Sequence, residues 1–246
     1  MAQKERIDRL LVDRELVDTR TRAQARIMAG DVFVNGQRVD KAGTRVPTDA
    51  AIELKGQNLP FVSRGGLKLQ AALDAFDYDC TDKVVIDVGA STGGFTDCVL
   101  QRHARNVYAV DVGYGQLAWK IRQDPRVINL ERQNIRHLDP ALIPEPCDLA
   151  VIDCSFISLD LVLPATLRFL KPEADLIALI KPQFEVGPDN VGKGGVVRDL
   201  DARQGAIERV IDQARAHGMH HLKGIDCPVH GPAGNIEYLA WFQRRA

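Results

Sequence analysis

The chain has 246 residues, enough for one large domain or for a small one joined to a medium one. It is 45% hydrophobic and 26% charged with a formal net charge of −1, values of an ordinary globular protein, so any basic surface for nucleic acid must be local. Five cysteines, odd in number and without a C-x-x-C pair, argue against a zinc site or disulfide framework and suit a reducing cytoplasm; no run approaches the ~20 apolar residues of a bilayer span, and the charged start Met1 to Arg6 leads into no apolar leader segment.

Residues 1–60 read as a small α+β domain. Ile7, Leu10 and Leu11 have helical spacing, with Val17 after a break. Thr19 or Thr21 caps a second helix that runs through Met28 and stops at Gly30. Val32 to Val39 then predicts a β-hairpin, because Asn35-Gly36 tolerates the positive φ angles of a two-residue turn, and Ile52-Glu53-Leu54-Lys55 adds a short strand. Arg20, Arg22 and Arg26 fall on or beside the second helix, and Arg22 and Arg26 share a face at i, i+4. Such a face is either solvated or a stripe that meets several phosphates.

The segment Thr21-Arg22-Ala23-Gln24-Ala25-Arg26-Ile27-Met28-Ala29-Gly30-Asp31-Val32-Phe33-Val34-Asn35-Gly36 resembles the αL RNA-binding module of the S-four type, an Arg-bearing helix followed by G-x-V-x-V-N-G. The resemblance implies a domain that grips structured RNA through phosphate contacts and shape.

Residues 61–66 read as a linker, with Pro60 before it and Gly65-Gly66 within it, and a helix begins at Leu67. From 67 to 246 strands alternate with helices. Strands are expected at 84–88, 106–110, 127–130, 149–152, 176–180, 221–225 and 236–242, and helices at 94–102, 161–170 and 202–217. The pattern predicts a Rossmann-like α/β domain with a mostly parallel seven-stranded sheet, whose ligands bind beyond the carboxyl ends of the strands.

The glycine-rich turn Asp87-Val88-Gly89-Ala90-Ser91-Thr92-Gly93-Gly94-Phe95 follows the first of these strands. Its spacing is not the G-x-G-x-x-G of a dinucleotide site, and the carboxylate of Asp87 would repel a pyrophosphate but accept a cationic amino-acid group. The turn therefore favours S-adenosylmethionine over NAD. Asp111, about twenty residues on at the next strand end, suits ribose hydroxyls. Asn134 follows the third strand and either bonds the adenine or closes a turn. The expected cofactor contacts are Asp87, Gly89, Ala90, Ser91, Gly93, Gly94, Phe95, Asp111, Val112, Asn134 and Asp153.

Lys181 closes the apolar run Leu176-Ile177-Ala178-Leu179-Ile180, so it needs a carboxylate partner or a lowered pKa, and Asp153 at the neighbouring strand end is the natural partner. Lys68 adds a second positive charge that would ready Lys181 as a base, and Glu237 can hold Lys68. Each alone is more often a surface ion pair.

The order Lys68, Asp153, Lys181, Glu237 resembles the Lys-Asp-Lys-Glu set of FtsJ-like 2′-O-ribose methyltransferases. With the segments Ser63-Arg64-Gly65-Gly66-Leu67-Lys68-Leu69, Asp153-Cys154-Ser155-Phe156, Lys181-Pro182-Gln183-Phe184-Glu185 and Asn235-Ile236-Glu237-Tyr238, nearly the whole chain resembles the TlyA family. That resemblance implies a class I enzyme that uses S-adenosylmethionine and no metal to methylate the 2′-hydroxyl of cytidine in ribosomal RNA, within the small or large ribosomal subunit or both. It implies catalysis by Lys68, Asp153, Lys181 and Glu237, and RNA contact by Arg6, Arg20, Arg22, Arg26, Lys41, Arg64, Ser155, Phe156, Lys193 and Arg198. Phe156 either stacks on an unpaired base or packs in the core. The rival readings are an RNA base methyltransferase with Cys154 as nucleophile and an RNA-binding protein with an inactive methyltransferase fold. A membrane-active haemolysin, a label the family sometimes carries, would need an amphipathic or spanning segment that the sequence does not offer. His217, His220 and His221 lack an accompanying cysteine or acidic cluster and read as a surface turn rather than a metal site.

Overall fold

The computed structural model describes residues 4–17, 19–28, 30–55 and 59–244; Met1 to Gln3 of the charged start and Ala29 of the arginine-bearing motif lie outside them. The chain divides into two units, 1–58 and 59–246. The first contains β1 (Lys4–Arg6), α1 (Ile7–Asp13), α2 (Arg20–Met28), β2 (Val32–Val34), β3 (Gln37–Arg38), β4 (Arg45–Pro47) and β5 (Ile52–Leu54). Ile7, Leu10 and Leu11 bury one stripe of α1 against Ala23 and Ile27 of α2 and against Val32, Val34 and Val46. Thr19 begins α2, its Oγ1 accepting from the Arg22 amide at 3.3 Å. Asn35 and Gly36 have φ of 49° and 79° and turn β2 into the antiparallel β3, while β5 pairs with the other edge of β2.

The second unit holds α3 (Gly65–Phe76), β6 (Val84–Val88), α4 (Gly94–Gln101), β7 (Asn106–Asp111), α5 (Trp119–Arg122), β8 (Val127–Glu131), β9 (Cys147–Ile152), α6 (Leu159–Leu167), β10 (Leu170–Ile180), α7 (Pro182–Glu185), α8 (Leu200–Ala216), β11 (Met219–Asp226) and β12 (Tyr238–Arg244). The seven strands form one sheet in the order β11-β12-β10-β9-β6-β7-β8. Neighbours from β10 to β8 are parallel, and β12 runs antiparallel to both β10 and β11. Every residue of β6 is buried, as a strand covered on both faces requires. Alternation sends Val84, Ile86 and Val88 to one core and Val85 to the other. Fully buried side chains such as Ile86, Ile152 and Phe242 each contribute about 1.5–3 kcal/mol by leaving water.

Element boundaries depart from expectation where side chains intervene. The helix α3 starts at Gly65 rather than Leu67, so the glycine pair read as linker forms its first turn. α6 starts at Leu159 because the Ser158 Oγ caps it from outside, accepting from the Asp160 amide at 3.2 Å. It ends at Leu167, since Leu170 already belongs to β10. β12 begins at Tyr238 rather than Ile236. The preceding residues are held in a loop by Asn235, whose amide bonds the Gly195 carbonyl and the Val197 amide at 2.8 and 2.9 Å.

The start of α4 packs closely against residues 63–66 at the start of α3. A Cβ on Gly94 would lie 2.2 Å from the Ser63 Oγ and 2.8 Å from the Gly66 amide nitrogen, and one on Gly66 would lie 2.3 Å from the Phe61 ring. Alanine normally stabilises a helix relative to glycine by up to about 1 kcal/mol. Here overpacking reverses the sign: Gly94→Ala is expected to lower the melting temperature, at a cost of about 1–3 kcal/mol, as read by thermal unfolding. A melting temperature at or above the native value would show that residues 63–66 yield freely.

Candidate active site

The floor of the site is the turn between β6 and α4. Gly89 has a φ of 88°, and a Cβ there would sit 2.7 Å from the Asp153 carbonyl oxygen, so only glycine meets both the conformation and the space. Asp87 is fully buried beneath this turn, its Oδ2 accepting from the Thr96 hydroxyl at 2.6 Å. It anchors the first turn of α4 rather than lining the open cavity. Asp111 accepts from the Ser91 amide at 2.8 Å and from the Gly113 amide at 2.6 Å, which ties the end of β7 to the glycine turn. Each of its oxygens retains a second lone pair toward hydroxyl donors.

The two buried lysines each have a carboxylate. Lys68 Nζ lies 2.5 Å from Glu237 Oε2, and Lys181 Nζ lies 2.6 Å from Asp153 Oδ1 and donates to the Ser155 Oγ at 2.8 Å. Lys68 and Lys181 are each 8% exposed and Glu237 1%. The sheet order explains the second pair: β9 and β10 are parallel neighbours, so Asp153 and Lys181, just past their carboxyl ends, meet across the strand mouth. α3 brings Lys68, and the loop before β12 brings Glu237, to the same place.

A cavity of about 760 Å³ opens over these groups, within the size range of small-molecule sites. Its walls include Lys68, Asp153, Lys181 and Glu237, the turn residues Gly89, Ala90, Ser91, Gly94 and Phe95, and Arg64, Ser155 and Phe156. Gly93, Asp111, Val112 and Asn134 are not among its lining residues. Val112 is exposed, and the Asn134 Oδ1 caps the short 3₁₀ turn Ile135–His137 by accepting from the Arg136 amide at 3.0 Å. Lys193 and Arg198 are exposed beside the lining segment Gly194-Gly195. The glycine turn and the loop after β10 thus face each other over both ion pairs, a chamber in which a nucleoside-bearing cofactor and a second reactant can meet.

Phe156 is 91% exposed, with a φ of 63° that aromatic residues rarely adopt, and its ring lies 5.1 Å from that of Phe184. It is therefore no core residue. Cys154 is half-buried: its thiol lies 3.6 Å from the Val88 carbonyl, and burial pushes it up to about 12, which disfavours the thiolate. Residue reasoning overlooked the pinning role of Asn235 and the Glu131 carboxylate, which accepts from the Gln116 and Leu117 amides at 2.8 and 3.2 Å and so shapes the loop after Asp111. The acid at the end of β8 was a visible signal for the latter.

In the first unit the arginines separate by environment. Arg22 and Lys41 are exposed. Arg26 is 17% exposed and pairs with Asp31 at 3.3 Å, so the expected i, i+4 stripe is divided between an exposed and a largely covered guanidinium. Arg6 and Arg20 both bond the buried Asp8. Among the described residues no helix is long and apolar enough to cross a membrane.

Residues 61–244 match the FtsJ-like methyltransferase family and residues 5–52 the S4 domain. The chain is 49% identical over 240 residues to YqxC of Bacillus subtilis, described as a candidate rRNA methyltransferase, covering 97% of this chain and 85% of that protein. It is 45% identical over 244 residues to the 16S/23S rRNA (cytidine-2′-O)-methyltransferase TlyA of Mycobacterium tuberculosis, covering 99% of this chain and 91% of that one. Among solved structures, a protein of Streptococcus thermophilus described as a candidate hemolysin superposes with a TM-score of 0.77 at 43% identity, over 100% of this chain and 90% of the other.

Asp87 adds a pH signature. Burial pushes its carboxyl up to about 7, against the opposing hydrogen bonds from Thr96. From the ordinary carboxyl range to about pH 7 the folded chain holds a proton that the unfolded chain has released. Its contribution to stability is therefore largest at acid pH and is lost as pH rises toward 7. In urea unfolding at pH 5 and pH 8, Asp87→Asn is expected to remove this component, on the order of a few kcal/mol; an unaltered pH dependence would place the proton elsewhere.

Proposed function

This chain belongs to the TlyA family of FtsJ-like methyltransferases, and from that premise we propose that it transfers a methyl group from S-adenosylmethionine to the ribose 2′-hydroxyl of a cytidine in ribosomal RNA. The observation that carries the reading is the convergence of two lysine–carboxylate pairs, with Lys68, Lys181 and Glu237 buried and Asp153 half-buried, on one cavity floored by a glycine turn. Burying an ion costs several kcal/mol before pairing, and such arrangements concentrate where a proton must be handled.

The turn fits the cofactor. Gly89 leaves room where a side chain would strike Asp153, Ala90, Ser91 and Gly94 present backbone and small side chains to the cavity, and Asp111 offers acceptors suited to ribose hydroxyls. S-adenosylmethionine, when bound, supplies a methyl already activated on a sulfonium. What remains for the protein is to align a weak nucleophile and manage one proton. Lys181 takes that role as a neutral amine: the lone pair of its Nζ, steadied by Asp153 and the Ser155 hydroxyl, accepts the proton that leaves the 2′-oxygen and so becomes the ammonium. Lys68 lends positive charge to the developing oxyanion, and Glu237 orients Lys68.

The substrate side of the cavity is aromatic and basic. Phe156, exposed in a conformation that costs on the order of 1–3 kcal/mol, offers a face on which an unpaired cytosine stacks. Arg64, Lys193 and Arg198 supply phosphate contacts around it, and Arg6, Arg20, Arg22, Arg26 and Lys41 of the S4 unit supply those farther along the RNA. The setting is a cytoplasmic one in which ribosomal subunits are the substrate. Base methylation through Cys154 is disfavoured by the burial of its thiol.

The test is transfer of labelled methyl from S-adenosylmethionine to unmethylated ribosomal subunits, followed by nucleoside analysis. Label is expected in 2′-O-methylcytidine. Lys181→Ala is expected to lower turnover by about 10²–10⁴-fold while cofactor affinity in calorimetry stays within a few-fold; native-level turnover would remove Lys181 from the proton transfer. Phe156→Ala is expected to weaken transfer by roughly 1–3 kcal/mol, the worth of one base stack, again without loss of cofactor binding. Label on a base would overturn the 2′-hydroxyl reading itself.

A further inference from the structure

In the S4 unit a single carboxylate organises the basic surface. Asp8 lies in the first turn of α1 and is fully buried. Arg6 donates to it side-on, Nε to Oδ1 and Nη2 to Oδ2, both at 3.0 Å. Arg20 Nε donates to Oδ2 at 2.9 Å and Gln24 Nε2 to the same oxygen at 3.1 Å. One hydrogen bond thus reaches Oδ1 and three converge on Oδ2. Arg6 comes from β1 and Arg20 and Gln24 from α2, so Asp8 joins separate elements. Both guanidiniums remain accessible, at 38% and 52% side-chain exposure.

We propose that Asp8 is a positioning residue for RNA binding: it fixes Arg6 and Arg20 as a preformed pair of guanidiniums that clamps adjacent phosphates of a structured RNA backbone. The inference rests on the reading of Arg6 and Arg20 as RNA contacts given above. Its physics is preorganisation. An unanchored arginine loses rotamer freedom when it meets a phosphate, whereas an anchored one has lost that freedom on folding: Arg20, held through its Nε, still presents both terminal nitrogens, and Arg6, held through Nε and Nη2, presents its Nη1. The carboxylate also offsets the repulsion between two neighbouring positive charges. Its cost is one negative charge beside a polyanion, and this separates positioning from plain electrostatics. Removing the charge of Asp8 makes the surface more positive, so bulk attraction alone predicts tighter RNA binding; loss of the clamp predicts weaker binding.

The experiment uses the full chain and a fluorescein-labelled 16S ribosomal RNA transcript, with anisotropy read over a range of salt concentrations. Asp8→Asn is expected to raise the Kd by about tenfold despite its added positive charge. Its KM for ribosomal subunits should rise while the cofactor Kd and the turnover at saturating subunits hold. Equal or tighter RNA binding by a folded Asp8→Asn would overturn the proposal. Arg20→Lys keeps the net charge and replaces the fork with a single ammonium, so it tests the same idea if Asp8→Asn fails to fold; a several-fold weaker Kd is expected, and native affinity would overturn the proposal. If the native protein itself binds no transcript and methylates no subunit, the function reading fails, which is distinct from native binding that Asp8→Asn leaves intact.

Discussion

A charged lysine is costly to bury alone, and the second unit of this protein is arranged around two that are buried. Each must meet a carboxylate at hydrogen-bonding distance, give up its proton or be expelled toward water. For Lys181 the requirement is met by strand order, because β10 lies parallel to β9 and the residue beyond each carboxyl end faces the other. For Lys68 it is met by a partner 169 residues away in sequence, brought in by the antiparallel return of β12. The pairs hold the first turn of α3, the mouths of β9 and β10 and the loop before β12 to one point. Cavity and chemistry both follow from that convergence.

Close backbone approach is the second constraint. Gly89 lets the turn after β6 press against the Asp153 carbonyl, and Gly94 and Gly66 let residues 61–66 lie against the start of α4. The Val62 amide, which donates to the buried Asp97 of α4 at 2.9 Å, secures the same contact. The glycine turn and the segment that carries Lys68 are therefore mechanically joined within one unit. Asn235 performs a similar task on the far wall by tying residues 195–197 to the lead-in of Glu237.

The S4 unit follows the same economy on a smaller scale. Its hydrophobic core is short, and its charged surface is ordered by one buried carboxylate rather than by helix periodicity. Helical spacing pairs Arg22 with Arg26, yet Arg26 turns toward Asp31, while Arg6 and Arg20, fourteen residues apart, share Asp8. Periodicity predicts which residues lie on one face. It cannot foresee which of them a neighbouring carboxylate will draw inward.

The sequence by itself determined the alternation that makes a seven-stranded α/β sheet, the hairpin at Asn35-Gly36, the glycine turn after β6 and the pairing of Lys181 with Asp153; Lys68 and Glu237 were legible through the residue order shared with the FtsJ-like family. The first group depends on local rules: continuous apolar runs for strands buried on both faces, positive φ at a two-residue turn, and a lysine at a buried strand end that calls for an acid. Only the tertiary structure decided that Asp87 serves the first turn of α4 beneath the cavity, that Asn134 caps a 3₁₀ turn, that Phe156 stands exposed and that the half-buried Cys154 thiol lies against the Val88 carbonyl. Each of those outcomes turns on burial and on partners distant in the chain. A strand-end position specifies where a residue sits along the sheet, but which neighbours close over it is settled only when the helices and loops pack.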